Sequence, residues 1–259
     1  SATTPPGYAW ANTRQINHLA SLLAVGLWVL AWMHAQGHWR RHLHWMAALM
    51  AVALAATASR GGALQLVLVS ALALWWGRGR RGPLLRVYAV ALVAYGVAVW
   101  ALPWMLEHWL GVVSERHLLT RMAVEGTCSS RKVLWGNVLD LIAQRPLTGW
   151  GWNGLRYGYY LTLFDGMRFC DMLTNAHNLP LHLATELGVP LAVAFTLGVL
   201  VLVLWLRPWQ TTQPSVQLGW GVLAVVGLHS MLEFPLWYGN FQVMVALALW
   251  LIWPDVRLR

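Results

Sequence analysis

Five places in the sequence hold side chains that could serve acid–base or anion chemistry. Arg60 stands between two hydrophobic runs, flanked by Ser59 and by Gly61 and Gly62. An arginine near membrane depth usually has a partner or faces water. Its five N–H donors suit a phosphate, and the two glycines would let backbone amides or a bulky lipid headgroup come close. The competing account is an arginine at a helix end reaching for the interface. Arg131 and Lys132 open a segment with helical spacing, and a helix start already favours anions through its free N–H groups. The plainer account there is a pair of solvated charges.

His177 lies in Asn175-Ala176-His177-Asn178-Leu179-Pro180, just before a hydrophobic run. An imidazole takes up a proton near neutral pH and suits general-base work on a hydroxyl. It would equally serve as a polar cap or an interfacial histidine. Glu233, in His229-Ser230-Met231-Leu232-Glu233-Phe234-Pro235-Leu236-Trp237-Tyr238, is expensive near a membrane unless paired. It could pair with Arg60 or orient His177, or it could simply mark a helix terminus beside an aromatic belt. Asn17 and His18 enter the first apolar run, where they would line a cavity or cap a helix.

The elements that must position these residues follow from composition. Of 259 residues, 58% are hydrophobic and 10% charged. A soluble domain is about one-quarter charged, so lipid is the expected solvent. The 19 tryptophans fit interfaces, where an apolar ring with a polar N–H sits well. The net charge of +9 does not indicate nucleic acid, because the basic residues punctuate hydrophobic spans and do not form one soluble face. Ser1–Trp10 lacks the basic start and apolar core of a signal peptide.

A bilayer core needs about 20 apolar residues per helix. Seven spans are expected: Ile16–Gln36, His44–Ala58, Gly61–Trp76, Leu84–Trp104, Leu187–Leu206, Val216–Leu232 and Phe241–Trp253. The fold class is therefore all-α, a polytopic transmembrane helix bundle with one large periplasmic loop, 105–183, containing short helices. With seven spans, Arg40, Arg41, Arg78, Arg80, Arg81, Arg86, Arg207, Arg257 and Arg259 share one side. Only Arg14 and Arg60 fall in the short connections of the other side. Short cytoplasmic loops are Lys/Arg-rich, which puts the first group inside and a turn at Ser59–Gly62 outside. Arg60, the long loop and His229–Asn240 then share the extracytoplasmic face.

Within the loop, Ser129 and Ser130 followed by Arg131–Gln144 predict a capped helix stopped by Pro146. Pro146–Gly154 is a glycine- and tryptophan-rich turn, and His177–Leu187 leads into the fifth span. Cys128 and Cys170 also lie outside, where a disulfide persists in a periplasm. The alternatives are a staple within the loop and two separate thiols, since sequence gives no Cα distance. No Asp-rich Mg²⁺ motif, Walker pattern or Rossmann pattern is present.

These residues resemble a family. Ser59-Arg60-Gly61-Gly62, Ser130-Arg131-x-x-x-Trp135, Pro146-Leu147-x-Gly149-x-Gly151, and His177-Asn178-Leu179 with Glu186-Leu187-Gly188 resemble, in order, the O-antigen ligase/polymerase superfamily. The resemblance runs from about Arg14 to Tyr238. Gln15-Ile16-Asn17-His18-Leu19-Ala20 and His229-Ser230-x-x-Glu233-Phe234-Pro235-Leu236-Trp237-Tyr238 look more like bacterial protein O-oligosaccharyltransferases of the pilin glycosylation ligase type. The resemblance implies metal-independent transfer of an undecaprenyl-diphosphate-linked glycan, at the periplasmic face of a bacterial inner membrane, to a hydroxyl of an acceptor protein. It implies His177 as the catalytic histidine and Arg60 and Arg131 as the diphosphate arginines. Lys132, Asn17, His18, Asn178 and Glu233 are supporting candidates.

The members of that superfamily carry several more helices before this region, so 1–259 is expected to be a single membrane domain lacking N-terminal helices of a longer protein. Transfer to lipid A-core or to a growing polymer is the alternative within the same chemistry. A lipid-linked sugar transporter is the alternative of another class, disfavoured because the spans are almost free of charge away from their ends.

Overall fold

The computed structural model describes residues 9, 13, 15–38, 42–77, 81–111 and 128–257. Arg14, Arg40, Arg41, Arg78, Arg80 and Arg259 of the charge pattern, and 112–127 of the long loop, lie outside the described residues, as does most of Ser1–Trp10. In chain order the helices are α1 (Ile16–Ala35), α2 (Leu43–Ala56), α3 (Arg60–Trp76), α4 (Arg81–Leu110), α5 (Arg131–Gln144), α6 (Leu155–Leu161), α7 (Leu179–Leu187), α8 (Val189–Leu206), α9 (Pro214–Ser230) and α10 (Gly239–Arg257). Among the described residues all regular structure is helical.

The seven apolar runs coincide with α1 to α4 and α8 to α10. Among the described residues, three stretches are long and apolar enough to cross a membrane: Ile16–Ala35, Leu84–Trp109 and Val189–Gln210. Leu43–Ala56, Arg60–Trp76 and Gly239–Trp253 are shorter apolar helices. The fourth run extends past its expected end at Trp104, because α4 passes through Pro103 and continues to Leu110.

The chain divides into two units. The first, 1–123 with 208–228 and 239–259, is built on α1 to α4. α2 packs along α4, and α1 along α2 and α3. Small residues line these contacts: Ala20, Ala24, Ala47, Ala51 and Ala91 are fully buried. Small side chains let helix backbones approach closely where lipid supplies no hydrophobic drive.

The break between α2 and α3 falls at Thr57–Ser59, ahead of the glycines expected to form it. Ala58 turns the chain with φ +48°. Ser59 then caps α3, its Oγ accepting from the Gly62 N–H at 3.0 Å. Gly61 and Gly62 therefore sit in the first helical turn. Gly62 is there for packing, since a Cβ would meet the Cβ of Ala20 at 2.8 Å and Leu54 Cδ1 at 2.9 Å.

The second unit comprises 124–207 and 229–238. Its core is Leu134, Val138 and Leu141 of α5 with Leu155, Tyr159, Leu173 and Ala176. Ser130 Oγ caps α5 by accepting from the Val133 N–H at 3.3 Å, and the helix ends at Gln144 as the sequence predicts. Cys128 and Cys170 form a disulfide, which resolves the choice left open above.

The glycine- and tryptophan-rich turn is a clasp on the joint between α7 and α8. Trp150 N–H donates to Thr185 O at 2.8 Å, Gly151 N–H to Glu186 O at 2.9 Å, and Val189 N–H to Pro146 O at 2.7 Å. Gly149 (φ +65°) and Gly188 (φ +85°) need both their left-handed backbone and their missing side chain. A Cβ on Gly149 would land on the Glu186 carbonyl, and one on Gly188 on the Leu147 carbonyl. A left-handed non-glycine residue costs about 1–2 kcal/mol before any clash. Gly149→Ala is expected to lose at least that much stability. A thermal melt of the purified protein in detergent reads this, and an unchanged midpoint would refute the clasp.

Candidate functional site: a histidine–glutamate–arginine cluster

The site grows from three local structures. The first is the start of α5. Arg131 occupies the first helical position, behind the Ser130 cap. Trp135 lies one turn further on, at i+4, so both side chains share a helix face. Trp135 Nε1 donates to Ala176 O at 3.0 Å, and this fixes the backbone just before His177.

The second is the entry to α7. Its cap is Asn178, whose Oδ1 accepts from the Leu181 N–H at 3.1 Å. His177 is thus not the cap. It stands one residue earlier with φ +51°, a conformation uncommon for a residue with a side chain. Such strain persists only where surroundings enforce it. Here the Trp135 bond on one side and the Asn178 cap on the other do so. Asn178 also donates from Nδ2 to Met231 O at 3.0 Å, which ties α7 to the turn after α9.

The third is that turn. Glu233 N–H donates to His229 O at 2.8 Å, and the Glu233 side chain is only 8% exposed. One carboxylate oxygen accepts from Arg131 Nη2 at 2.8 Å. The other lies 2.6 Å from His177 Nδ1. Phe234 meets the His177 ring in a T-shaped contact at 5.0 Å and stacks on Tyr238 at 5.8 Å.

Burial alone would raise the Glu233 carboxyl. The His177 hydrogen bond outweighs it, together with the charges of His177, Arg131 and His229, and holds the carboxyl below its ordinary value. An ionised carboxylate only accepts hydrogen bonds. Whenever the imidazole is neutral, that carboxylate holds its proton on Nδ1 and leaves Nε2 as the basic nitrogen.

Of the partners considered for Glu233 in the sequence, His177 lies within hydrogen-bond distance, and Arg131 joins it. Lys132 is exposed. Arg60 belongs to the first unit, where it is exposed at the first position of α3. Asn17 and His18 neither cap α1 nor stand free. The cap position is Gln15, Asn17 Oδ1 accepts the Ser59 hydroxyl at 2.7 Å, and His18 is buried against Phe241 at 5.1 Å. Ser21 and Gln65 exchange hydrogen bonds at 2.8 and 3.0 Å one turn deeper. α1 thus braces the chain that presents Arg60.

A second buried carboxylate, Glu186, accepts from the Asn153 N–H at 2.9 Å and lies 3.5 Å from His182 Nε2. Burial lowers the His182 pKa more than Glu186 raises it. Among the described residues no group of three or more His, Cys, Asp or Glu is placed to hold a metal ion.

Helices of this apolarity, with an Arg–Glu–His cluster at a loop anchored to a membrane-capable helix, define a membrane-embedded protein with a polar site at its edge. The chain belongs to the O-antigen ligase family, whose model matches residues 45–196. A model described as virulence factor membrane-bound polymerase, C-terminal, matches 217–259. A general O-oligosaccharyltransferase of Acinetobacter baylyi is 27% identical over 248 residues, covering 94% of this chain and 43% of that relative. The chain thus spans less than half the length of that relative. No solved structure matches.

Proposed function

We propose that this chain carries the reaction centre of a glycosyltransferase. It moves an undecaprenyl-diphosphate-linked glycan en bloc onto an acceptor hydroxyl, that of a protein in O-linked glycosylation. The reaction takes place at the periplasmic face of a bacterial inner membrane. The observation that carries the proposal is the 2.6 Å contact of Glu233 with His177 Nδ1, which presents Nε2 as a base. Membership of the O-antigen ligase family and the similarity to an O-oligosaccharyltransferase support the same chemistry.

In the proposed step Nε2 of His177 takes the acceptor's hydroxyl proton. The oxygen forms a bond to the anomeric carbon as the bond from that carbon to the diphosphate breaks, with inversion. The undecaprenyl diphosphate leaves with the electron pair. Arg131 spends one of its five donors on Glu233 and has others for the diphosphate. Arg60, at a helix start of its own, is the second anion-binding arginine. Preorganised cations at the developing charge lower the barrier without metal.

The test is transfer by the full-length protein from a lipid-linked oligosaccharide to an acceptor protein, with EDTA present. Transfer should survive EDTA. Arg60→Ala and Arg131→Ala should each weaken donor binding by about tenfold or more, the cost of one charged hydrogen bond at about 1.5–3 kcal/mol. Transfer to lipid A-core alone would keep the chemistry and change the acceptor. Donor bound and moved across the bilayer without transfer would replace the enzyme with a transporter.

A further inference from the structure

We infer that α6 and the chain after it form a foot that rests in the headgroup layer of the bilayer. The inference is independent of the transferase proposal and rests on α8 crossing a membrane.

α8 has 18 residues, about 27 Å at 1.5 Å per residue, close to the roughly 30 Å of a hydrocarbon core. Its first residue, Val189, must then lie at one boundary of that core. The clasp holds the loop to that end. Pro146 O is one hydrogen bond from Val189 N–H, at 2.7 Å, and Trp150 N–H is bonded to Thr185 O. The Trp150 ring in turn lies against Gly158 of α6, so closely that a Cβ there would overlap it. Asn153 N–H is held by Glu186. The chain from 146 to 158 is therefore pinned at the boundary where the span starts.

α6 has one dry face and one unpartnered face. Leu155, Gly158 and Tyr159 are buried in the unit's core. Tyr157, Tyr160 and Leu161 are 61%, 67% and 52% exposed, and Leu163 just beyond is 93% exposed. Arg156 is exposed among them. Tyrosine and leucine with one arginine is an interfacial composition. Aromatic rings with a polar tip favour the headgroup layer, leucine favours the acyl boundary, and a guanidinium pairs with lipid phosphate. Exposed leucines argue against a glycan platform, because sugars are held by polar side chains as well as by ring stacking.

The test places a nitroxide at Tyr160→Cys or Leu163→Cys in the full-length protein, in nanodiscs of phosphatidylethanolamine and phosphatidylglycerol. Both sites are exposed, so the label displaces no packing. Collisions with oxygen should exceed those with a water-soluble nickel complex severalfold at both positions. Free access of the nickel complex to both labels would overturn the foot. Protection from nickel that appears only on adding a soluble oligosaccharide would also overturn it and assign the face to glycan.

Discussion

Replacing His177 with alanine is expected to lower glycan transfer by about 10²–10⁴-fold, the range a positioned general base contributes. Donor binding should stay close to wild type. The reasoning is geometric. Glu233 engages Nδ1 at 2.6 Å, so Nε2 is the nitrogen proposed to act as the base, and alanine removes it while leaving Arg131 and Glu233 paired at 2.8 Å. The side chain is 29% exposed, so its loss leaves no large cavity. Single-turnover transfer and donor affinity must be measured separately. Loss of affinity with normal transfer per bound donor would move His177 from the chemistry to binding.

The second large effect belongs to Glu233→Gln. The amide keeps the shape and loses the charge. It can donate to Nδ1 as readily as accept from it, so the ring no longer has one enforced tautomer. A fall of about 10²–10⁴-fold in transfer is expected, the upper figure being what the matching change costs in a serine-protease triad. A structural role alone would lower stability and activity together. Here transfer should collapse even at temperatures where the variant is still fully folded.

The pH dependence has a definite sign. The folded carboxyl is held below its ordinary value. The stability its ionisation contributes is complete above the unfolded value and disappears only as pH falls through the lowered one. The glutamine variant should lack that acid-side loss. A melting temperature that falls with acid identically in both proteins would remove Glu233 from the account.

The sequence made some parts of this site legible and hid others, for physical reasons. The start and stop of α5 could be read because Ser130 and Pro146 act locally. The helices themselves followed from the long apolar runs. α6 was missed because it is seven residues long and contains Gly158, and its stability comes from the Trp150 ring packed on that glycine. The α2–α3 break was placed too late because Gly61 and Gly62 look like turn residues. Gly62 instead makes room for Ala20 and Leu54 of neighbouring helices.

The same limit applies to partners. His177 and Glu233 were recognisable as costly residues. Their pairing joins segments far apart in the chain, and Arg131 enters it across 102 residues. Trp135 had no role readable from its type. Its spacing from Arg131 matters only once α5 is seen to aim one residue at Glu233 and the other at the carbonyl before His177. His18 shows the reverse case, a chemically suggestive residue that packs on Phe241.

The Cys128–Cys170 bridge gives this site an order of assembly. It lies three residues before Arg131 and seven before His177, joining the two strands of chain that lead into them. Closing a loop of 42 residues removes unfolded-state entropy worth roughly 4 kcal/mol in a chain-entropy account. That closure requires two thiols to give up their electrons, which happens in oxidising compartments. Translation and membrane insertion therefore deliver every residue of the cluster without finishing it. Maturation of the cluster includes an oxidation as well as folding.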